Sequence, residues 1–305
     1  MKILQVSLGK QEDIREALAT LGDVIYWDWS GRNMSFNRDI RNLVDTHRPD
    51  IIFLQLQTDG IIDKHTAAYI SQKSFTINWT GDVRSPLPQW FKDIAPHIGV
   101  TLFTNMNDVD QMRAMGFRAD YMQIGFPTKI FNSKAKAVNV PDIIFMGNNV
   151  GGFPLSSMRK QMVDILKQKY GNRFAVYGVG YPGSNYIPLQ TEEVKHYRGC
   201  KVAINISHFN FRRYSSDRIF RLMGSGAFCL SHHYQDIEKD FEIGAHLDVW
   251  KNFEELTSKI DYYLKNEDIR KCIAKTGCEH VHKNHTWMNR IDDLKALLPK
   301  HLFHD

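Results

Sequence analysis

The sequence lacks several features that would define its chemistry outright. Its 305 residues hold only four cysteines, Cys200, Cys229, Cys272 and Cys278. None forms a CxxC pair and none has a His/Cys spacing suited to zinc, so nothing points to a structural zinc site and the cysteines are expected to be mostly buried. The four read as reduced thiols. No apolar run approaches the roughly 20 residues that span a bilayer. The opening MKILQVSLG follows one lysine with an apolar stretch too short for a signal peptide. Together these give the expectation of a cytoplasmic protein. Charge of one sign is not concentrated either: the formal net charge of +5 is spread along the chain rather than gathered in a tail. That balance suits an anionic ligand or polymer without identifying one. No repeat period is visible.

What is present is alternation. At 43% apolar and 24% charged residues, the composition is that of an ordinary globular chain. KILQVSL, DVIYWDW, DIIFLQLQ, FTINWTG, VTLFTN and ADYMQIG read as strands. Between them QEDIREALATLG, FNRDIRNLVDTHRP and DVDQMRAMGF repeat apolar residues every three or four positions, as on a helix packed along one side. Alternation of this kind implies a parallel sheet covered by helices. The texture breaks at Phe126–Pro141, a polar segment that reads as an interdomain linker. It then resumes in PDIIFMG, SSMRKQMVDILKQKYG, RFAVYG, KVAINIS, AFCLS and HLDVW, followed by FEELTSKIDYYLKN, DIRKCIAKTGCEHVHKN and TWMNRIDDLKALLPKHL. The expected fold is α/β, with two Rossmann-like, doubly wound parallel-sheet domains facing a cleft. The first covers residues 1–130 and the second 141–285, with a helix over 286–305 packing back toward the first. Ligands of such sheets sit at the carboxyl ends of the strands.

Several residues are candidates on chemical grounds. Ser215, Ser216 and Asp217 are N-cap types, so a helix is expected to open there and run to Gly224 and Gly226, with Arg218 one residue inside. Such a helix start favours phosphate, and an arginine adds a bidentate contact; the alternative is plain capping and a surface ion pair. GNNVGGF, Gly147 to Phe153, lets backbone approach a ligand, with Asn148 and Asn149 as amide donors. GVGYPG, Gly178 to Gly183, satisfies G-x-G-x-x-G, but no helix follows it, which excludes a nicotinamide dehydrogenase. A place near a nucleotide base stays open for Tyr177 and Gly178. DVD, Asp108 to Asp110, reads as a helix start rather than a metal motif, and no other grouping has metal-ligand spacing. Asp82, just past a strand, is a candidate general base whose pKa partial burial would raise; the alternative is a turn residue. Trp27, Asp28 and Trp29 end another strand, where aromatics either stack on a sugar or base or pack in the core. His208, His232 and His233 each lie just past a strand, and HFNFRRY, His208 to Tyr214, suits a base and a diphosphate but also nucleic acid.

KVAINIS followed by SSDRIFRLMGSGAFCLSHH resembles the strand, the "s-R-x-F-E-x-x-A-S-G-x-x-x-L" helix and the next strand of the group-1-like GT-B glycosyltransferases, including the spore-maturation CgeB type. FEIGAHLDVW, and the stretch that runs from it to HTWMNRI, resembles that family's tail. PDIIFMGNN, SSMRKQMVDIL and RFAVYG fit the opening of the same domain. Upstream, WTGDVR, FTN and IGFP fit more loosely. The resemblance implies a glycosyltransferase whose C-terminal domain binds a nucleotide-diphosphate sugar as co-substrate, with no tightly bound cofactor and no metal, and whose N-terminal domain binds the acceptor, a glycan or a hydroxylated nucleic-acid base as in phage DNA modification. On this reading Gly147, Asn148, Asn149, Arg159, Tyr177, Gly178, His208, Arg213, Ser216, Asp217 and Arg218 face the donor. Trp27, Asp28, Trp29 and Arg84 face the acceptor, with Asp82 as base if configuration inverts. The chain departs from the family at Arg221, where a glutamate grips the donor ribose, and at Arg213, where some relatives carry another acid; Asp217 is the nearest replacement. Two rivals remain, a sugar-nucleotide epimerase of the same shape and a non-catalytic two-lobed ligand-binding protein.

Overall fold

The computed structural model describes residues 1–30 and 36–303. By its internal contacts the chain divides into two units, Met1–Ile124 with Trp287–Asp305, and Gly125–Thr286.

The first unit is a six-stranded sheet of β1 (Lys2–Ser7), β2 (Asp23–Asp28), β3 (Ile51–Leu54), β4 (Phe75–Thr80), β5 (Val100–Phe103) and β6 (Ala119–Tyr121). Their spatial order is β2-β1-β3-β4-β5-β6, and every pairing is parallel. The helices α1 (Glu12–Leu18), α2 (Phe36–His47), α3 (Lys64–Ser71), α4 (Gln89–Ile94) and α5 (Met106–Ala114) connect the strands. Because helices cover both faces, central strands have no solvent side, and IIFL of β3 and VTLF of β5 are buried at every position. The order reverses between β1 and β3, which is the switch point of this sheet.

The second unit contains β7 (Ile143–Met146), β8 (Phe174–Tyr177), β9 (Val202–Asn205), β10 (Cys229–His232) and β11 (Asp248–Trp250), ordered β11-β10-β9-β7-β8 and again all parallel. Its helices are α6 (Ser156–Tyr170), α7 (Gln190–Gly199), α8 (Arg218–Gly224), α9 (Phe253–Lys265) and α10 (Glu267–Asn284). The switch point falls between β7 and β9, so the loops leaving these two strands diverge and open a crevice at the carboxyl edge.

The last helix, α11 (Trp287–Lys295), belongs to the first unit. Trp287, Ile291, Leu294 and Leu298 join the core of β1, β3 and β4, and Trp287 meets Trp79 edge-on at 5.0 Å. His304 and Asp305, the end of the expected C-terminal helix, lie outside the described residues.

The segment expected to be a linker is packed. Phe126 and Phe131 are fully buried within the second unit, and two phenylalanines anchored in a core are incompatible with a free tether. Periodicity gave no sign of α3, α4 or α7, which are short or carry few apolar positions. Among the described residues, no helix is long and apolar enough to cross a membrane.

Candidate functional site

The crevice at the β7/β9 switch point holds two arginines. Arg159, in the first turn of α6, is wholly buried. It donates from Nη1 to the Ile206 carbonyl beyond β9 at 2.6 Å and from Nη2 to the Asn148 carbonyl beyond β7 at 2.7 Å. Arg218, the first residue of α8, is also buried. Its Nη1 donates to the same Ile206 carbonyl at 2.9 Å and to Asn205 Oδ1 at 3.2 Å. Both guanidinium groups lie over the Phe145 ring, at 5.1 and 5.3 Å from its centre. Gly147 makes the arrangement possible. A Cβ there would stand 2.7 Å from Arg218 Nη2 and 2.8 Å from Arg159 Nη2, so only glycine lets both cations reach the backbone so closely.

The electrostatics of this pair are unusual. Among the described residues no carboxylate lies within 4.0 Å of either arginine, and Arg159 Nε is buried without a partner. Burial, with the neighbouring charge of Arg218 next, pulls the Arg159 pKa down to about 10. Carbonyl oxygens satisfy hydrogen bonds but do not cancel two positive charges, and a low-dielectric site magnifies the repulsion between them. The arrangement is suited to a dianion with paired oxygens.

His208 adjoins the pair. Burial first, then the charges of Arg159 and Arg218, push its pKa down to about 4, so the ring is neutral near pH 7. Its Nε2 is buried without a partner, its ring packs on Phe153 at 4.8 Å, and its carbonyl accepts the Leu155 N–H. Phe153, Phe209 and Phe211 form an aromatic run beside it, with ring centres 5.3 and 5.4 Å apart. His232, at the end of β10, is likewise held down to about 4 by burial and packs against Trp250 at 4.7 Å, while His233 Nε2 lies 3.5 Å from Glu238.

The β8 loop lies against the β7 loop: Gly147 N–H donates to Tyr177 O, Asn149 N–H to Val179 O, and Val179 N–H to Asn148 Oδ1. A Cβ at Gly178 would meet the Gly147 carbonyl at 2.5 Å. Gly178 and Gly180 therefore let this loop pack on the β7 loop. Asn149 Oδ1 is buried and unpartnered, and Tyr177 is buried edge-on to His196 at 5.3 Å.

Other candidates are committed elsewhere. Arg213 forms a two-pronged pair with the buried Asp240 carboxylate, Nη2 to Oδ1 at 2.8 Å and Nε to Oδ2 at 3.0 Å. Ser216 gives its N–H to Ser207 Oγ at 3.2 Å. Asp217 occupies the N-cap position of α8 but makes no side-chain cap; its carboxylate pairs with Arg221 at 3.3 Å. Arg221 reaches Glu193 of α7 as well, at 3.3 Å. Glu193 is almost wholly buried, and burial raises its pKa against the opposing pull of Arg221. The sequence reading missed Glu193, Asn205 and the Ile206 carbonyl. Asn205 carried a signal, a polar residue closing a buried strand; Glu193, on a helix with few apolar positions, carried none.

In the first unit Trp27 and Trp29 are in the core, Trp27 edge-on to Phe36 at 6.0 Å and Trp29 donating from Nε1 to Gln55 O at 3.2 Å. Buried as they are, they present no face to a sugar. Asp28 Oδ1 accepts from Gly9 N at 2.9 Å and from Ser30 N at 2.8 Å, fixing the β1 and β2 loops. Asp82 is 68% exposed and 3.6 Å from Arg84, so the expected partial burial is not found. Arg84 is enclosed: Nε donates to Thr80 Oγ1 at 3.0 Å, Nη1 to Gln57 O at 3.1 Å and Nη2 to Gln57 Oε1 at 2.8 Å. Asp108, the first acid of DVD, is buried within α5, accepting from Arg84 N at 2.6 Å and Asn105 Nδ2 at 2.8 Å. Asn105 caps that helix through Asp108 N.

Comparison with known proteins bears on this crevice. The model of a family described as glycosyl transferase-like matches residues 159–296, a span that begins at the first crevice arginine. No curated protein sequence matches the chain. Among solved structures, the chain is similar to Anabaena HepE in complex with UDP-glucose, with a TM-score of 0.67 and 12% identity over 98% of this chain and 100% of that one. It is similar to a glycosyltransferase from Rickettsia africae, TM-score 0.63 and 13% identity over 100% and 99%. It is also similar to a Listeria monocytogenes protein described as a UDP-N-acetylglucosamine 2-epimerase, TM-score 0.54 and 13% identity over 100% and 97%. At such identities the likeness shows the fold, which is GT-B: two parallel-sheet α/β domains.

Proposed function

We propose that the protein is a glycosyltransferase that carries a sugar from a nucleoside-diphosphate sugar to an acceptor hydroxyl. The observation that carries this reading is the pair Arg159 and Arg218, two buried cations supplied with carbonyls but no acid at a sheet switch point. A diphosphate would neutralise both. The glycosyl transferase-like match and the UDP-glucose held by HepE support the same assignment. Of this chain's residues, Gly147 lies against both guanidiniums, and His208, whose pKa both of them lower, offers a neutral imidazole beside them. The aromatic run Phe153, Phe209 and Phe211 offers a face to a base or sugar.

Transfer breaks the bond from the anomeric carbon to the β-phosphate oxygen and forms one to the acceptor oxygen; the acceptor proton leaves to a base or to water. Charge grows on the departing diphosphate, and fixed cations already in place stabilise it without reorganisation. Two arginines can do this without a divalent ion, and we read the reaction as metal-independent on that ground. Asp82 is our candidate base for an inverting reaction, since it stands past β4 beside Arg84. The acceptor is a glycan or a hydroxylated nucleic-acid base; a steep fall of acceptor binding with salt marks the nucleic acid.

The test is a panel of nucleoside-diphosphate sugars in thermal-shift and turnover assays. One of them at a hundredfold excess over its Kd should stabilise the protein by about 2.7 kcal/mol, with the shift cut to about 0.9 kcal/mol in Arg218→Met at the same concentration. If none stabilises it, the reading fails. Incubation with donor alone separates a transferase from an epimerase, which would return an isomerised donor.

A further inference from the structure

A second cationic cavity lies at the other edge of the same sheet. α8 carries the chain from the carboxyl end of β9 to the start of β10, so its exit at Gly226 is at the amino edge, away from Arg159 and Arg218. There a cavity of about 390 Å³ is lined by Arg198, Gly226, Lys271, Lys275, Cys278 and Glu279, among others. This volume falls in the range of ligand pockets, roughly 300–1,000 Å³, and exceeds what one phosphate fills.

Arg198 has no carboxylate within 4.0 Å among the described residues. One of its five N–H donors reaches a protein acceptor, the Ser225 carbonyl at the end of α8, over a long 3.3 Å, and its Nε is buried without a partner. Gly226 makes room for it. Its φ is +80° and a Cβ there would press on Arg198 Nη1 at 2.9 Å. The lysines stand one turn apart on α10, Lys271 beside Glu267 at 2.5 Å and Lys275 beside Glu279 at 4.0 Å. Both pairs are well exposed, and such pairs are worth about 0–1 kcal/mol. The lysines can therefore turn to another anion at little cost. Three cations against Glu279, with Glu267 beside Lys271, still leave the cavity with a net positive charge that suits a phosphate anion.

We propose that this cavity binds a small phosphate ester, with the Arg198 fork on the phosphate, Lys271 and Lys275 completing its charge, and the organic part against Ala274 and Cys278.

Cys278 is a built-in reporter. Its thiol donates to the Gly224 carbonyl at 3.4 Å in the cavity wall. Burial raises its pKa, with Arg198 opposing, so a bound anion shields it and disfavours its thiolate. In the 305-residue chain carrying Cys272→Ser, which removes the exposed thiol, alkylation at Cys278 is followed by peptide mass spectrometry with ribose 5-phosphate, inorganic pyrophosphate, or potassium chloride of equal ionic strength. Both phosphates should slow it at least fivefold and saturably in the millimolar range, ribose 5-phosphate at the lower concentration. Arg198→Gln should lose the protection, and Lys275→Glu, an exposed change that leaves the fold intact, should raise the half-saturating concentration at least fivefold. The thermal response of both variants to nucleoside-diphosphate sugar should be unchanged. Equal slowing by potassium chloride, no slowing by ribose 5-phosphate, or full protection in Lys275→Glu would overturn the proposal.

Discussion

Arg84 in the first unit and Arg159 in the second are both enclosed arginines beyond the end of a parallel strand, and the fold treats them in opposite ways. The Arg84 guanidinium makes four hydrogen bonds to loop carbonyls and side chains, with Asp82 at 3.6 Å and the Asp108 charge behind it. The Arg159 guanidinium has two carbonyls, no acid among the described residues and a second arginine. A cation whose counter-charge comes from the chain holds the chain together. One left without a counter-charge weakens the free protein slightly and is set for an anion that arrives from solution.

This contrast can be broken by substitution. Arg84→Met strips the lacing of the β3 and β4 loops and leaves buried Asp108 facing no cation, at a cost of about 3 kcal/mol in denaturant unfolding. Arg159→Met should change unfolding free energy by less than about 1 kcal/mol, because lost carbonyl contacts are offset by relief of repulsion. Equal damage from the two would show that Arg159 is structural. Next in size, Arg218→Met should weaken nucleotide binding by about 2 kcal/mol, near thirtyfold by calorimetry, the value of a charge-assisted contact. Gly147→Ala should weaken it by about tenfold, roughly 1.4 kcal/mol, with the fold intact, since what a Cβ meets there is the movable ends of two side chains.

The smallest effect is on pH dependence. His208 and His232 have folded pKa values of about 4, below the usual 6.5, so the unfolded chain takes up their protons first. Their contribution to stability is complete above about pH 6.5 and is lost as pH falls toward 4. His208→Asn and His232→Asn should each flatten the acid limb of a Tm-versus-pH curve. A saturating diphosphate should also shift the limb to lower pH in the parent chain by stabilising the folded state.

Much of this was legible beforehand, for identifiable reasons. Runs such as IIFL and IIFM, apolar at every position, mark strands buried on both faces, and the helices between them set the parallel topology. Gly147 and Arg218 could be picked out because each sits just past such a strand or at a helix opening. Long-range pairing could not be read. Nothing local shows that Arg213 meets Asp240 twenty-seven residues on, or that Arg221 faces Glu193 from another helix. Both arginines had been weighed against family acids; in the structure each brings its own carboxylate. The stretch at 126–141 resembled a tether because most of it is polar, and nothing local shows that Phe126 and Phe131 are buried or that Val138 N–H donates to the Lys195 carbonyl at 3.3 Å. The tryptophans of β2 were ambiguous by nature, since a strand end can turn the same ring inward or outward.

The return of α11 to the first unit has a topological consequence. The first unit is written in two pieces that bracket the second like parentheses, and the two seams are adjacent, with Arg290 Nε donating to Ile124 O at 3.5 Å. Cutting the chain once near residue 286 removes Trp287, Ile291, Leu294 and Leu298 from a core whose other buried members lie between Ile3 and Met122. Excising 125–286 and joining the seams with a few glycines keeps that core whole, so the two lobes can be studied apart only by editing out the inner one, never by shortening the chain from its end.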